Sequence, residues 1–373
     1  MKGYQGKLFF YTLCTIKLQF SLSYSSLKLK KIHVKNTLFW ILIISFIYSC
    51  DSNKVIEVNK AFYYWKSGNW SLDNESEKIL EETQTQKLYV KFFEIENNEL
   101  MGNIPVSKNK MRIYKKDIEI IPTIFIRNEV FKLSTKAEID LLAHNTNTLI
   151  EKYIDDLYSG FELNEFQFDC DWTITTKENY FYFLNKIKGL TTKKLSCTLR
   201  LYPYKFRDKM GIPPVDKVML MCYNLLNPLE NKGKNSILDV EELGKYLNVG
   251  NNYPLQLDIA LPIYSWIQIY QNNQFVGLEY NEIEKVLSKS SKIDSFWYQV
   301  NKDVVLDNYY LRVGDKIKYE NINETTINQS IQLLRDKINL GKTITVSFFH
   351  LDANQLQLFS NEKINSFYTS FSN

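Results

Sequence analysis

The sequence predicts an α/β protein of the (β/α)8 barrel type, with an insertion between strands seven and eight. Three observations lead there. Strand-like and helix-like runs alternate from residue 61 to residue 352 until eight strands are reached. One of them, Glu165-Phe-Gln-Phe-Asp-Cys-Asp-Trp172, alternates without a break. Glu165, Gln167, Asp169 and Asp171 fall on one face, and Phe166, Phe168, Cys170 and Trp172 on the other. A strand that is apolar outside and acidic inside suits a barrel whose upper end lines a site. Finally, no Gly-rich turn follows the first strand, which weighs against a doubly wound nucleotide-binding sheet, the main rival fold.

The elements follow in order. Residues 61–65 (Ala-Phe-Tyr-Tyr-Trp) are strand formers, and 75–84 read as a helix. Residues 88–95 and 119–126 are apolar enough for buried parallel strands two and three. Between 136 and 157 apolar residues recur every three to four positions, the mark of a long amphipathic helix. Strand four is 164–172, followed by a helix near 177–187. Strand five is 195–202 and strand six 216–224, with 240–247 helical after it. Strand seven is 255–262, and a helix over 323–340 delivers strand eight, 343–350. The stretch 267–322 is too long for a plain loop. Its hairpin-like pieces (274–279, 297–300 and 309–319) read as an insertion over the barrel mouth. Residues 353–373 read as a C-terminal tail.

The N-terminus reads as an export signal. Lys28, Lys30, Lys31 and Lys35 precede an apolar run from Leu38 to Tyr48, then Ser49-Cys50. The run is shorter than the roughly 20 apolar residues of a transmembrane helix. Ile47-Tyr48-Ser49-Cys50 resembles a bacterial lipobox, although Tyr48 is bulkier than usual at its place. Cys50 is thus the expected lipidation site, 1–49 the signal peptide and 50–60 a lipidated tether. An uncleaved anchor or a chance apolar patch is the alternative. Residues 1–27 are odd ahead of such a signal; a start codon set too far upstream explains them.

Residues 50–373 suffice for one large domain or two small ones. Apolar content of 45% and charged content of 24% are ordinary for a globular protein. The net charge is a modest +4, and no basic run with interleaved aromatics marks a nucleic-acid surface. The five cysteines have no metal or redox spacing, and Cys170, Cys197 and Cys222 read as buried small hydrophobes. Beyond the signal only His144 and His350 remain, which argues against a multi-histidine zinc site. No metal and no organic cofactor is expected.

Three strands taken in order resemble the chitinase-like family 18 glycoside hydrolases. Gln167-Phe-Asp-Cys-Asp-Trp-Thr173 lines up with the family's fourth-strand motif, Gly-x-Asp-x-Asp-x-Glu. Met221-Cys-Tyr-Asn224 closes a segment similar to its sixth-strand motif, which ends Met-x-Tyr-Asp, and Leu257–Tyr264 looks like the following strand. The chain also resembles uncharacterised bacterial lipoproteins that carry versions of Thr198-Leu-Arg-Leu-Tyr202, Gly211-Ile-Pro-Pro-Val-Asp216 and Ala260-Leu-Pro-Ile-Tyr-Ser-Trp266. That likeness spans most of residues 60–352. It implies the barrel fold and identifies no substrate; the family 18 resemblance is what implies a glycan as partner. Two departures stand out: Thr173 occupies the place of the family's catalytic acid, and Asn224 replaces its aspartate. The family's substrate-assisted mechanism therefore does not carry over intact.

The candidate acidic centre is Asp169 with Asp171, since two carboxylates sharing a site push their pKa values apart. Tyr223, which keeps the family's tyrosine, and Asp258, whose strand face points inward, are the other catalytic candidates. A glycosidase needs a second carboxyl roughly 5–10 Å from the first; Glu94, Glu96 and Glu129 are further choices. Arg200 is a natural partner for Asp169 or Asp171, and equally for an acidic sugar. Trp65 and Trp266 follow strand ends and offer faces for sugar rings, with Asn224 and Tyr202 as further binding candidates. Trp172 alternates onto the outer face and is expected to pack on a helix. His350 and Asp352 end strand eight. Other readings of the same residues remain open: a structural ion network in which Arg200 and Lys91 hold the aspartates, a barrel that binds glycans without cleaving them, or an envelope scaffold that docks proteins.

Overall fold

The computed structural model describes residues 55–372 apart from 69–70, 111, 114–116, 159, 162, 231–232 and 249–252. The export signal and Cys50 lie outside the described residues.

The barrel begins with β1 (Glu57–Tyr64), α1 (Asn74–Glu82) and β2 (Lys87–Asn98). β1 starts inside the stretch read as tether, because its first residues already pair with the last barrel strand: Glu57 lies opposite Thr343. β3 (Gly102–Val106) folds back antiparallel on the outer half of β2. β4 (Glu119–Ile126) follows, then α2 (Asn128–Leu133) and α3 (Lys136–Leu157). Thr135 and Glu138 form a reciprocal capping box that fixes the start of α3. Then come β5 (Glu165–Asp169), α4 (Lys177–Leu190), β6 (Lys194–Arg200), the short α5 (Leu201–Lys205) and α6 (Arg207–Met210), β7 (Lys217–Met221), α7 (Val240–Leu247) and β8 (Gln256–Pro262).

The insertion carries β9 (Trp266–Gln271), β10 (Gln274–Glu279), α8 (Ile283–Leu287), β11 (Ser290–Lys292), β12 (Trp297–Val300), β13 (Val304–Val305), β14 (Tyr310–Leu311) and β15 (Lys316–Glu320). Five of these strands form an antiparallel sheet in the order β10-β9-β15-β12-β11. The chain returns through α9 (Glu324–Lys337) to β16 (Thr343–Phe349), then adds α10 (Ala353–Leu356) and α11 (Asn361–Thr369). The segment read as a tail is thus partly helical: α11 packs Tyr368 edge-on against Phe348 at 4.8 Å, and the Tyr368 hydroxyl donates to the Ala61 carbonyl at 2.6 Å.

Eight parallel strands close in the order β1-β2-β4-β5-β6-β7-β8-β16, with β1 pairing both β2 and β16. This is the (β/α)8 barrel with an insertion between its seventh and eighth strands. Outward side chains bury against the helices, as Phe168 does edge-on to Phe183 at 5.4 Å. Trp172 is buried on that outer side, and its indole N–H donates to the Met210 carbonyl at 3.3 Å. The insertion has its own small core of Ile267, Ile269, Val286, Val300, Val304, Leu306, Leu311 and Ile317.

Candidate functional site

The strands that converge on the mouth end earlier than the alternation suggests. β5 stops at Asp169, where its pairing with β4 (Phe125 opposite Asp169) runs out. Asp169 is therefore the last strand residue, and Asp171 stands on the loop beyond it. The two carboxylates consequently meet different surroundings. Asp169 is buried, and the Thr198 hydroxyl from the neighbouring β6 donates to its Oδ1 at 2.5 Å. Burial, with Asp171 beside it, pushes the Asp169 carboxyl up to about 7, against the opposing pull of Thr198 and Arg200. Asp171 is more than half exposed and meets Arg200 Nε at 3.1 Å.

Tyr223 comes from the end of β7. Its ring leans on Phe349 at 5.2 Å and on Tyr264 at 6.5 Å, and its hydroxyl is buried without a hydrogen-bond partner. Burial first, then the nearby Tyr63 and Asp169, hold that hydroxyl well above the usual phenol range. Asn224 follows with φ of 52°, and its side-chain oxygen accepts from the Tyr264 hydroxyl at 2.6 Å. Asp171, Thr173, Ile174, Arg200, Tyr202 and Met210 help line a hollow of about 490 Å³. Arg200 and Tyr202 are shared with a smaller hollow of about 100 Å³ that reaches Tyr223, Asn224 and Tyr246. Tyr202 sits on α5 rather than on a strand and is exposed, packed against Phe206 at 4.6 Å.

The other candidates lie elsewhere. Trp65 is half-buried on the rim among Tyr63, Phe125 and Phe349, with Lys91 Nζ 5.6 Å from its ring centre. Lys91 is spent on Glu94 at 2.7 Å and takes no part in holding the aspartates. Glu96 faces Arg127 at 3.4 Å, and Glu129 is exposed on the first turn of α2. Trp266 opens β9, inside the insertion sheet, and its indole N–H donates to Glu320 at 2.5 Å. Asp258 points inward but near the starts of the strands: it takes Lys217 Nζ at 2.8 Å and the Thr345 amide at 2.7 Å. The same lysine binds Glu165 at 2.8 Å. Asp258 is thus a member of a buried ion triad in the barrel floor, apart from Asp169 and Asp171. His350 is half-buried, with its Nδ1 enclosed and without a partner; desolvation lowers its pKa to about 4, with Asp352 opposing and Lys66 assisting. Asp352 itself binds Lys66 at 2.9 Å.

Sequence reading missed the floor triad, although Lys217 shares a face with Met219 and Tyr223 by simple alternation. It also missed Glu320. That buried carboxylate accepts from Lys318 at 2.6 Å and from the Ser236 amide and hydroxyl at 2.9 and 2.6 Å. Loop 235–238 in turn bonds Asn224 N to the Ile237 carbonyl at 2.7 Å, so the insertion steadies the mouth through its backbone. Thr173, at the family's acid position, is exposed, and its hydroxyl bonds Thr175 at 2.9 Å. Among the described residues no group of three or more His, Cys, Asp or Glu is arranged to hold a metal ion.

No protein-family model and no curated protein matches the chain. Solved structures do. One is the spore cortex-lytic enzyme SleL of Bacillus cereus, at 14% identity and a TM-score of 0.50 over 86% of this chain and 75% of that one. Another is a mutant GH18 chitinase from Cycas revoluta in complex with (GlcNAc)4, at 12% identity and a TM-score of 0.50 over 84% of this chain and 99% of that one. At such identities the likeness is one of fold, and the fold of this chain is the (β/α)8 barrel that these structures share.

Proposed function

We propose that this chain is a membrane-anchored lipoprotein of the bacterial envelope whose barrel mouth binds and hydrolyses a glycan, from the envelope itself or from the diet. The observation that carries the reading is the unequal pair of Asp169 and Asp171. One carboxyl is buried and keeps its proton up to about pH 7; the other reaches solvent beside a guanidinium. Glycoside hydrolysis asks for that division of labour, an acid to protonate the leaving oxygen and a carboxylate to stabilise or attack the sugar. In this reading Asp171 meets the substrate and Asp169 supplies or stores the proton. Tyr223 is the hydrogen-bond donor beneath the sugar, and Trp65 and Tyr202 are flanking walls. The fold shared with glycan-cleaving enzymes supports the substrate class. Asp258, bound up in the floor, has no part in it.

A specific feature favours a second reading, a barrel that binds glycans and no longer cuts them. Thr173 stands where the resembling family has its acid, and its hydroxyl is already engaged with Thr175. Threonine cannot protonate a glycosidic oxygen near neutral pH.

Hydrolysis of a broad glycan panel by the full chain in detergent separates the two, with the wild type beside Asp171→Asn. The enzyme reading expects turnover that the variant loses by about a hundredfold or more. Saturable binding by both proteins without turnover from either would leave the binding barrel in its place.

A further inference from the structure

The smaller hollow has a chemical character that the larger one lacks. Arg200, the last residue of β6, lines both. Its one polar contact among the described residues is Nε to Asp171, which leaves the outer edge of the guanidinium, with Nη1 and Nη2, unspent. Arg200 lines the smaller hollow together with Tyr223 and Asn224. There the Tyr223 hydroxyl is buried and unpartnered, on a ring held by Phe349 and Tyr264. Asn224 turns its side-chain oxygen to the Tyr264 hydroxyl, so its amide N–H groups are the part left for a ligand. The remaining lining is Leu201, Met221, Leu225 and two tyrosines. No carboxylate lines this hollow; Arg200 can only donate, and the Tyr223 hydroxyl and the Asn224 amide N–H groups can donate beside it. A forked guanidinium, a hydroxyl and an amide around one small space call for a planar group that only accepts, which is a carboxylate.

We propose that the hollow beside Arg200, Tyr223 and Asn224 takes the carboxylate of an acidic sugar unit, so that the glycan is anionic. The inference rests on the glycan reading above and narrows it. Asp171 is the natural competitor: it occupies Nε of the same guanidinium, and the incoming carboxylate takes the free edge.

The test is calorimetric binding of acidic oligosaccharides (galacturonate, alginate, hyaluronan and muramic-acid-containing fragments), each beside its carboxyl-reduced counterpart. At least one acid should bind about ten- to a hundredfold tighter than its reduced form. Arg200→Gln should erase that difference, and Arg200→Lys should restore only part of it, since a point charge lacks the fork. Asp171→Asn should strengthen binding of the acid, because a competing carboxylate is gone. Equal binding of acid and reduced forms, or an acid preference that survives Arg200→Gln in a folded variant, would overturn the proposal while leaving a neutral glycan as substrate. Absence of binding by every glycan, neutral or acidic, would overturn the glycan reading and this inference together.

Discussion

Asp169, which is buried, and His350, which is half-buried, respond to acid in opposite senses. Folded Asp169 keeps its proton up to about 7, whereas a carboxyl of the unfolded chain loses it near 4. Between those values the folded state binds the extra proton, so this residue makes stability fall as pH rises. Folded His350 stays neutral down to about 4, whereas the unfolded histidine charges near 6.5. Over that window the unfolded state binds the extra proton, so this residue makes stability fall as pH drops. The two slopes nearly cancel between about pH 4 and 6.5. Asp169→Asn removes only the first. Relative to wild type, the variant should gain on the order of 3 kcal/mol between pH 4 and 8. Urea unfolding at the two pH values measures it, and a constant difference would refute the assignment. Alternation in the sequence revealed which side chains point inward. It could not reveal their height, which depends on where each strand starts and how the strands are staggered. Asp169 and Asp258 look alike to a period of two, yet one ends its strand and the other lies three residues into its own.

At the scale of elements, the floor triad binds three strands through one cation. Burial alone would pull the Lys217 ammonium down; Asp258 and Glu165 more than reverse this and hold it above the ordinary lysine value. Lys217→Met would strand two buried carboxylates and should cost about 3–5 kcal/mol. Adding Glu165→Gln and Asp258→Asn to that variant should recover much of the loss. Denaturant midpoints of the single and triple variants check this; a single variant as stable as wild type would show that the triad holds nothing. The alternating helix and strand periods made the eight barrel strands and most helices legible. β9 was not, because Ile267 and Ile269 continue the apolar run of β8 after a short break, and composition does not show that the sheet changes. α11 was hidden for another reason. Its apolar face is only Ile364, Phe367 and Tyr368, and it becomes a helix because β1 and β16 offer it a surface.

At the scale of the molecule, the proposed anchor makes a direct prediction. No helix among the described residues is long and apolar enough to cross a membrane. If lipidated Cys50 is the attachment, wild-type protein should fractionate with membranes and incorporate labelled palmitate, and Cys50→Ser should lose both. A Cys50→Ser protein that still pellets with membranes would point instead to an uncleaved apolar segment.

The barrel is closed by its first and last strands, and α11 bolts that seam through Tyr368 and Ala61. Until Thr343–Phe349 has been made, β1 and β8 each keep an open edge, and the ring has no partner for either. Partial chains therefore carry unpaired edges, which slow folding and invite aggregation. For the exported lipoprotein proposed above, the same delay would be useful. Nearly the whole polypeptide must emerge before the ring can lock, which would keep such a chain threadable through a translocation channel during delivery.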